Sequence, residues 1–186
     1  CHLPLMEAIK EITVDGAKTA KVLYGSPGWT VHHNLDLWRT TWPVGKSGQW
    51  GIYQAAPAWL CQHIWDHYEF TQSKEFLCEY FPVMEGAAQF YLHTLQYTDE
   101  GYLVTNPAVS FENMYVKPDG TVGWACQGPS ADMQAISSLF ENIIEAGKVL
   151  GMKSYVEKQI EKVLPHLAPL KISSRTGELQ EWYNDW

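Results

Sequence analysis

S-A-D-M-Q-A-I-S-S-L-F-E-N-I-I-E-A-G-K-V-L-G, residues 130–151, carries the plainest structural signal in the chain. Met133, Ile136, Leu139, Phe140, Ile143, Ile144 and Leu150 recur at steps of three and four, which places them on one face of an α-helix. Ser130 stands where an N-cap belongs, and Gly151 stands where a left-handed C-cap residue belongs. The same period appears outward in both directions. Upstream, Leu5, Ile9, Ile12, Gly16, Ala20 and Leu23 predict a helix over 4–23, closed by Gly25, Pro27 and Gly28. A helix apolar on most sides is expected over 52–70, with Ile52, Ala56, Trp59, Leu60, Ile64 and His67 on one face. Another is expected over 74–95, with Pro82 at the first turn of a second part. Downstream, Val156, Ile160 and Leu164 predict a short helix over 154–164, stopped by Pro165 and Pro169.

Two long connections interrupt this succession, over 24–51 and 99–130. Irregular segments of that length are uncommon unless they carry function. The first holds Trp29, Trp38, Trp42 and Trp50. The second contains Met114–Val116, then K-P-D-G, then Thr121–Trp124, a β-hairpin pattern. The expected fold is all-α, built of helical hairpins as a bundle, solenoid or toroid, with a small β-hairpin in one long loop. No fixed-period sequence repeat supports the solenoid. In a toroid, both connections would fall on one rim and converge on a cleft.

Composition narrows the function. The formal charge is −8, which disfavours nucleic acid and anionic membranes as partners. No apolar run is long enough to span a bilayer. Nine tryptophans and ten tyrosines in 186 residues fit either a large aromatic core or a cleft floored by flat rings. Sugars suit such clefts, because their C–H faces stack on rings while their hydroxyls need polar partners. Cysteines at 1, 61, 78 and 126 form no C-x-x-C pair and read as buried free thiols. The chain starts without methionine or a visible signal peptide, so the native start is expected elsewhere.

Four clusters could carry chemistry. In H-H-N-L-D-L-W, residues 32–38, Asn34 and Asp36 can bond sugar hydroxyls, and Trp38 or Trp50 can offer a stacking plate. The same residues also fit a loop capped by its own Asn and Asp side chains. In T-N-P-A-V-S-F-E-N, residues 105–113, Glu112 lies among Phe111, Asn113 and Met114. A carboxyl in a dry apolar setting stays protonated near neutrality, as a glycosidase acid must, although a surface glutamate is the commoner fate. In H-I-W-D-H, residues 63–67, both histidines share a helical face, but Ile64 stands where a zinc protease needs Glu, so a core-facing pair is expected. Glu181, Trp182, Asp185 and Trp186 could line a cleft or pair with a neighbouring helix. G-S-P-G at 25–28 is a turn, and no phosphate loop or nucleophile elbow appears. Neither a metal nor a cofactor is expected.

G-W-T-V-H-H-N-L-D-L-W (28–38), A-W-L-C-Q-H-I-W-D-H-Y (58–68), F-P-V-M-E-G-A-A-Q-F (81–90), T-N-P-A-V-S-F-E-N (105–113), D-M-Q (132–134) and G-E-L-Q-E-W-Y-N-D-W (177–186), in this order, resemble glycoside hydrolase family 95, the inverting α-L-fucosidases. The match spans nearly the whole chain, including the opening C-H-L-P-L. The resemblance implies that residues 1–186 are part of an (α/α)6 barrel, twelve helices in six pairs, cut from a longer chain. It implies a glycan substrate, terminal α-linked L-fucose released with inversion, and the remainder of the same catalytic domain as a partner. It assigns Glu112 as general acid and sets the cluster His33, Asn34 and Asp36, together with Trp50, toward the sugar; Trp38 and Asn113 are further candidate sugar contacts on their chemistry. The family usually has Pro before that Glu, where this chain has Phe111. Two asparagines of an N-x-N segment and an aspartate, which prepare the attacking water in the family, have no counterpart here. The isolated chain is therefore expected to be inactive. An extracellular or periplasmic setting is also implied. An α-L-galactosidase on the same scaffold, a non-catalytic sugar-binding module with an exposed Glu112, and a helical scaffold for protein partners are the alternatives.

Overall fold

The computed structural model describes residues 2–186; Cys1 lies outside the described residues. About half the chain is helical, and among the described residues the strands form two small antiparallel hairpins. In order, the elements are α1 (Leu3–Tyr24), α2 (Gly48–Gly51), α3 (Ala56–Thr71), α4 (Lys74–Thr94), β1 (Gln96–Tyr97), β2 (Leu103–Val104), β3 (Tyr115–Val116), β4 (Val122–Gly123), α5 (Ser130–Leu150) and α6 (Tyr155–Val163), followed by a 3-10 turn, Leu164–His166. The all-α architecture is consistent with a segment of a helical toroid. The β3–β4 hairpin stands where K-P-D-G placed it, with Tyr115 opposite Gly123. The β1–β2 hairpin, which pairs Gln96 with Val104, was not expected.

α4 is the centre of the fold and packs on α1, α3, α5 and α6. Leu77, Phe81, Met84, Phe90 and Tyr91 are withdrawn from solvent there. Each such side chain contributes roughly 1.5–3 kcal/mol. That packing explains a departure from expectation at Pro82, which does not divide α4. Its ring faces solvent, while buried residues on both sides, Tyr80 and Phe81 before and Val83 and Met84 after, hold one helix together. Their burial outweighs the roughly 3 kcal/mol that an internal proline costs.

Two other helix starts moved. α3 begins at Ala56, not Ile52, because Ile52 is extended (φ −88°, ψ 129°) and Pro57 sits in the first turn. The buried Tyr91 hydroxyl completes that start, accepting from the Ala58 N–H at 3.1 Å and donating to the Gln54 carbonyl at 2.7 Å. Nor is α3 covered all round, since Trp59 and Phe70 face solvent. Leu23 of the α1 stripe is likewise exposed, and Met6 takes a buried place on that helix. At α5 the N-cap is Pro129, because the Ser130 hydroxyl is drawn away to the Gln180 carbonyl; Gly151 closes the helix in the left-handed conformation. α6 is capped by the Ser154 hydroxyl, which accepts from the Glu157 N–H.

The first long connection is fixed where it crosses between α1 and α4. Gly28 (φ 75°) passes so close to α4 that a Cβ would lie 2.1 Å from the Gly86 carbonyl oxygen. Trp29 then wedges over Gly86, its backbone N–H on the Gly86 carbonyl (3.2 Å) and its indole N–H on the Val83 carbonyl (2.8 Å). At the far end of the chain, Val104, Met133, Ala168 and Tyr183 form a second small core that ties the C-terminal segment to β2 and α5. The β3–β4 hairpin is covered by the same segment, with Tyr115 stacked on Trp186 at 4.8 Å.

Candidate active site

Residues of the two long connections meet at Glu112. Phe111 and Glu112 are consecutive non-glycine residues in the left-handed region, with φ of 38° and 67°. Each such residue costs on the order of 1–3 kcal/mol, so surrounding contacts must impose the conformation. Those contacts come from four directions. The Phe111 ring packs against Tyr53 at 5.2 Å and Trp59 at 6.3 Å. The Asn113 N–H closes a tight turn on the Ser110 carbonyl at 2.7 Å. The Asn113 amide donates to Glu181 at 2.7 Å. Gln49, on α2, donates its side-chain amide to the Glu112 carbonyl at 2.8 Å. A proline at position 111 would have φ held near −65°, so the φ observed at Phe111 is open to this chain and closed to the family's usual residue.

Two adjoining hollows share His33, Leu35 and Glu112 on their walls. The smaller, about 170 Å³, is apolar, with Val31, Tyr53, Trp59 and Phe111 among its lining. The larger, about 620 Å³, is lined by Asn34, Asp36, Val44, Gly45 and Trp50 besides the shared three. Glu112 Oε1 stands 2.9 Å from His33 Nε2, and the two side chains are 41% and 35% exposed. The dry setting expected for Glu112 is therefore not what this chain provides. The carboxyl sits on the lip between an apolar and a polar hollow, where water and an imidazole both reach it.

The expected sugar-facing residues divide. His33, Asn34, Asp36 and Trp50 line the larger hollow. Trp38 and Asn113 line neither hollow. Asp36 builds its own turn: Oδ1 accepts from the N–H groups of Trp38 (3.0 Å) and Thr40 (3.1 Å), and Oδ2 from the Thr40 hydroxyl (3.2 Å). Those bonds, chiefly the Thr40 N–H, hold its carboxyl below the usual range. The turn is capped by Asp36 itself and projects Trp38 into solvent, 81% exposed. Asn113 is committed to Glu181.

His32, adjacent to His33, has a different fate. It is buried, its pKa pushed down to about 4 by burial. Nδ1 accepts from the Tyr53 N–H at 3.3 Å, so Nε2 carries the proton toward the Tyr24 hydroxyl at 3.0 Å. A neutral His32 thus joins α1, the first connection and Tyr53, and aims His33 outward. On the other side, the Thr105 hydroxyl donates to Asp132 Oδ2 at 2.7 Å. That anchors the start of the segment that carries Glu112 to the first turn of α5. Asp132 is wholly buried with Oδ1 unpartnered, and burial pushes its pKa up to about 7.

Among the other clusters, His67 contacts His2 (Nδ1 to Nε2, 2.7 Å) and lies at a tilt against the Phe76 ring, while His63 and His67 are only half-buried rather than a core pair. Of the thiols, Cys61 is buried, Cys126 half-buried and Cys78 exposed, against the expectation of burial for all. Asp185 is held by the Ser173 hydroxyl and the Ser174 N–H, away from Glu112's hollows. Among the described residues no group of three or more His, Cys, Asp or Glu could hold a metal ion, and no helix is long and apolar enough to cross a membrane. Residue patterns gave no sign of Gln49, and they marked Glu181 only as a cleft or pairing candidate, not as a contact of Asn113 beside Glu112. G-Q-W-G has no motif, and both roles depend on partners more than 60 positions away.

A family model described as the glycosyl hydrolase family 95 catalytic domain matches residues 1–186. The chain is 34% identical to "Alpha-L-fucosidase 2" of Arabidopsis thaliana over 190 residues, covering 100% of this chain and 22% of that protein. It is 32% identical to "Probable alpha-fucosidase A" of Aspergillus niger over 176 residues, covering 91% of this chain and 21% of that protein. The chain therefore spans about a fifth of the length of these curated relatives.

Proposed function

From the premise that this chain belongs to the glycosyl hydrolase family 95 catalytic-domain family, we propose that it is the acid-bearing part of a longer glycosidase that removes terminal α-linked L-fucose, 1,2-linked, with inversion. Glu112 delivers its proton to the glycosidic oxygen. The bond from that oxygen to the anomeric carbon breaks, and its electron pair stays on the departing alcohol. A water attacks the anomeric carbon from the opposite face and loses its proton to a carboxylate outside these residues, about 6.5–9.5 Å from Glu112. The observation that carries the reading is the placing of Glu112. It stands on a left-handed peptide tied from several sides, between an aromatic-walled hollow and a polar one. Asn34 and Trp50 in the larger hollow offer hydroxyl bonding and stacking to the sugar. The fucosidase names of the relatives favour fucose over L-galactose.

The test is Glu112→Gln in the full-length polypeptide, assayed on a 2-linked fucosyl oligosaccharide. A loss of roughly 100- to 10,000-fold in kcat is expected from removing the general acid. Turnover near wild type would remove Glu112 from the mechanism. The anomer first released, followed by NMR, tests inversion, and hydrolysis by the isolated 186 residues would contradict the dependence on outside groups. The exposure of Glu112 favours one other reading, sugar binding without hydrolysis. Binding of the oligosaccharide with no turnover in the full-length protein would select it.

A further inference from the structure

We infer that Gln49 is a positioning residue for proton delivery by Glu112, acting on its backbone from the opposite connection; this rests on the reading of Glu112 as the acid. Gln49 is nearly buried, 7% exposed, on the four-residue helix α2. Its Nε2 donates to the Glu112 carbonyl at 2.8 Å. In that setting water competes weakly for the carbonyl, so the bond holds orientation.

The carbonyl of Glu112 belongs to the peptide that follows it. Fixing its direction fixes ψ at Glu112. With φ at 67°, that sets where the Cα–Cβ bond points, and hence where the carboxyl can reach. One other tie acts on the same peptide, the Asn113 N–H bond to the Ser110 carbonyl, but it closes a turn within the loop itself, and the rest act elsewhere. Tyr53 and Trp59 hold the Phe111 ring, Glu181 holds the Asn113 side chain, and His33 meets the carboxyl itself. Gln49 thus links the residue's backbone directly to the loop that supplies the polar wall of the larger hollow. Two consecutive left-handed residues would relax toward commoner backbone angles once that grip is lost. The carboxyl would then swing relative to the leaving oxygen. A misplacement of about 1 Å costs on the order of 100-fold in rate.

Leaving-group dependence separates this role from a general structural one. A poor alcohol leaving group needs the proton, whereas an acidic phenol departs largely without it. In the full-length polypeptide, Gln49→Met keeps chain length and removes the donor, and Gln49→Asn withdraws the amide by one methylene. Each is compared with wild type and Glu112→Gln on a 2-linked fucosyl oligosaccharide and on an aryl α-L-fucoside of an acidic phenol. In Gln49→Met, the ratio of kcat on the oligosaccharide to kcat on the aryl fucoside is expected to fall roughly 10- to 100-fold, with KM for the oligosaccharide within about threefold. Gln49→Asn should fall in the same direction and is read in its place if the Met protein does not fold. An unchanged ratio, equal losses on both substrates, or failure of both variants to fold would overturn the proposal. Wild-type protein inactive on both substrates, or a Glu112→Gln ratio that does not move, would instead remove the acid assignment on which it stands.

Discussion

Asp132→Asn should reverse the sign of its effect on stability between acid and alkaline pH. The Asp132 carboxyl is 1% exposed, with one oxygen on the Thr105 hydroxyl and the other unpartnered. Burial moves its pKa from an ordinary 3.8 to about 7, against the opposing pull of the Thr105 bond. Between those values the folded state keeps a proton that the unfolded chain has released. Asp132 therefore favours folding fully below the unfolded value, and that contribution is lost as pH rises through the folded one. Three pH units at about 1.4 kcal/mol each give about 4 kcal/mol across the window. Asparagine has the same shape, can still accept from Thr105, and does not titrate. Its amide N–H groups inherit the unpartnered side, at a cost of about 1–3 kcal/mol at every pH. The variant should be less stable than wild type at pH 4 by that cost, and more stable at pH 8 by roughly 1–3 kcal/mol. His32, whose depressed pKa makes stability fall as pH drops from about 6.5 toward about 4, is common to both proteins and cancels in the difference. Urea denaturation at one-unit pH intervals measures that difference. A difference flat from pH 4 to 8 would show that Asp132 has no raised pKa in the folded protein.

Two further outcomes follow from the backbone around the site. Gly28→Ala sets a Cβ 2.1 Å from the Gly86 carbonyl at a φ of 75°. It should cost about 2–4 kcal/mol through overpacking and left-handed strain, and an unaltered midpoint in thermal denaturation would show that the crossing over α4 is looser than drawn. Phe111→Pro restores the residue usual in the family but excludes a φ of 38° and removes a ring packed on Tyr53. The melting temperature should fall by several degrees, corresponding to about 1–3 kcal/mol, whereas a rise would mean that the left-handed peptide is not the ground state.

How much could be read beforehand depends on the range of the interactions involved. Helices α1, α5 and α6 were legible because apolar residues at steps of three and four report burial within one turn of chain, whatever the burying partner is. K-P-D-G announced β3–β4 for the same local reason, and Gly151 announced the end of α5. Pro82 misled, since the local rule for proline was outweighed by side chains on α1, α3 and α5 that cover both halves of α4. Asp36 and Asn113 were chemically suited to a sugar, and both also bond within the protein, Asp36 to Thr40 while still lining the larger hollow and Asn113 to Glu181. No pattern in the chain separates a free carboxylate or amide from one already engaged.

The order of residues alone determined the helical class, the two long aromatic connections and the candidacy of Glu112. These rest on periodicity, on turn chemistry and on blocks of sequence that resemble one family. Tertiary structure alone decided which residues of the two connections meet, with the His33 ring on the Glu112 carboxyl and Gln49 gripping the Glu112 backbone. It also decided that the carboxyl lies on a wet lip and not in a dry hollow. The physical reason is that hydration and hydrogen-bond partnership belong to neighbours in space. Those neighbours, residues 49 and 112 above all, lie far apart in sequence and meet only when the two connections fold over the helices, the second anchored to α5 by Thr105, and by no property of either segment taken alone.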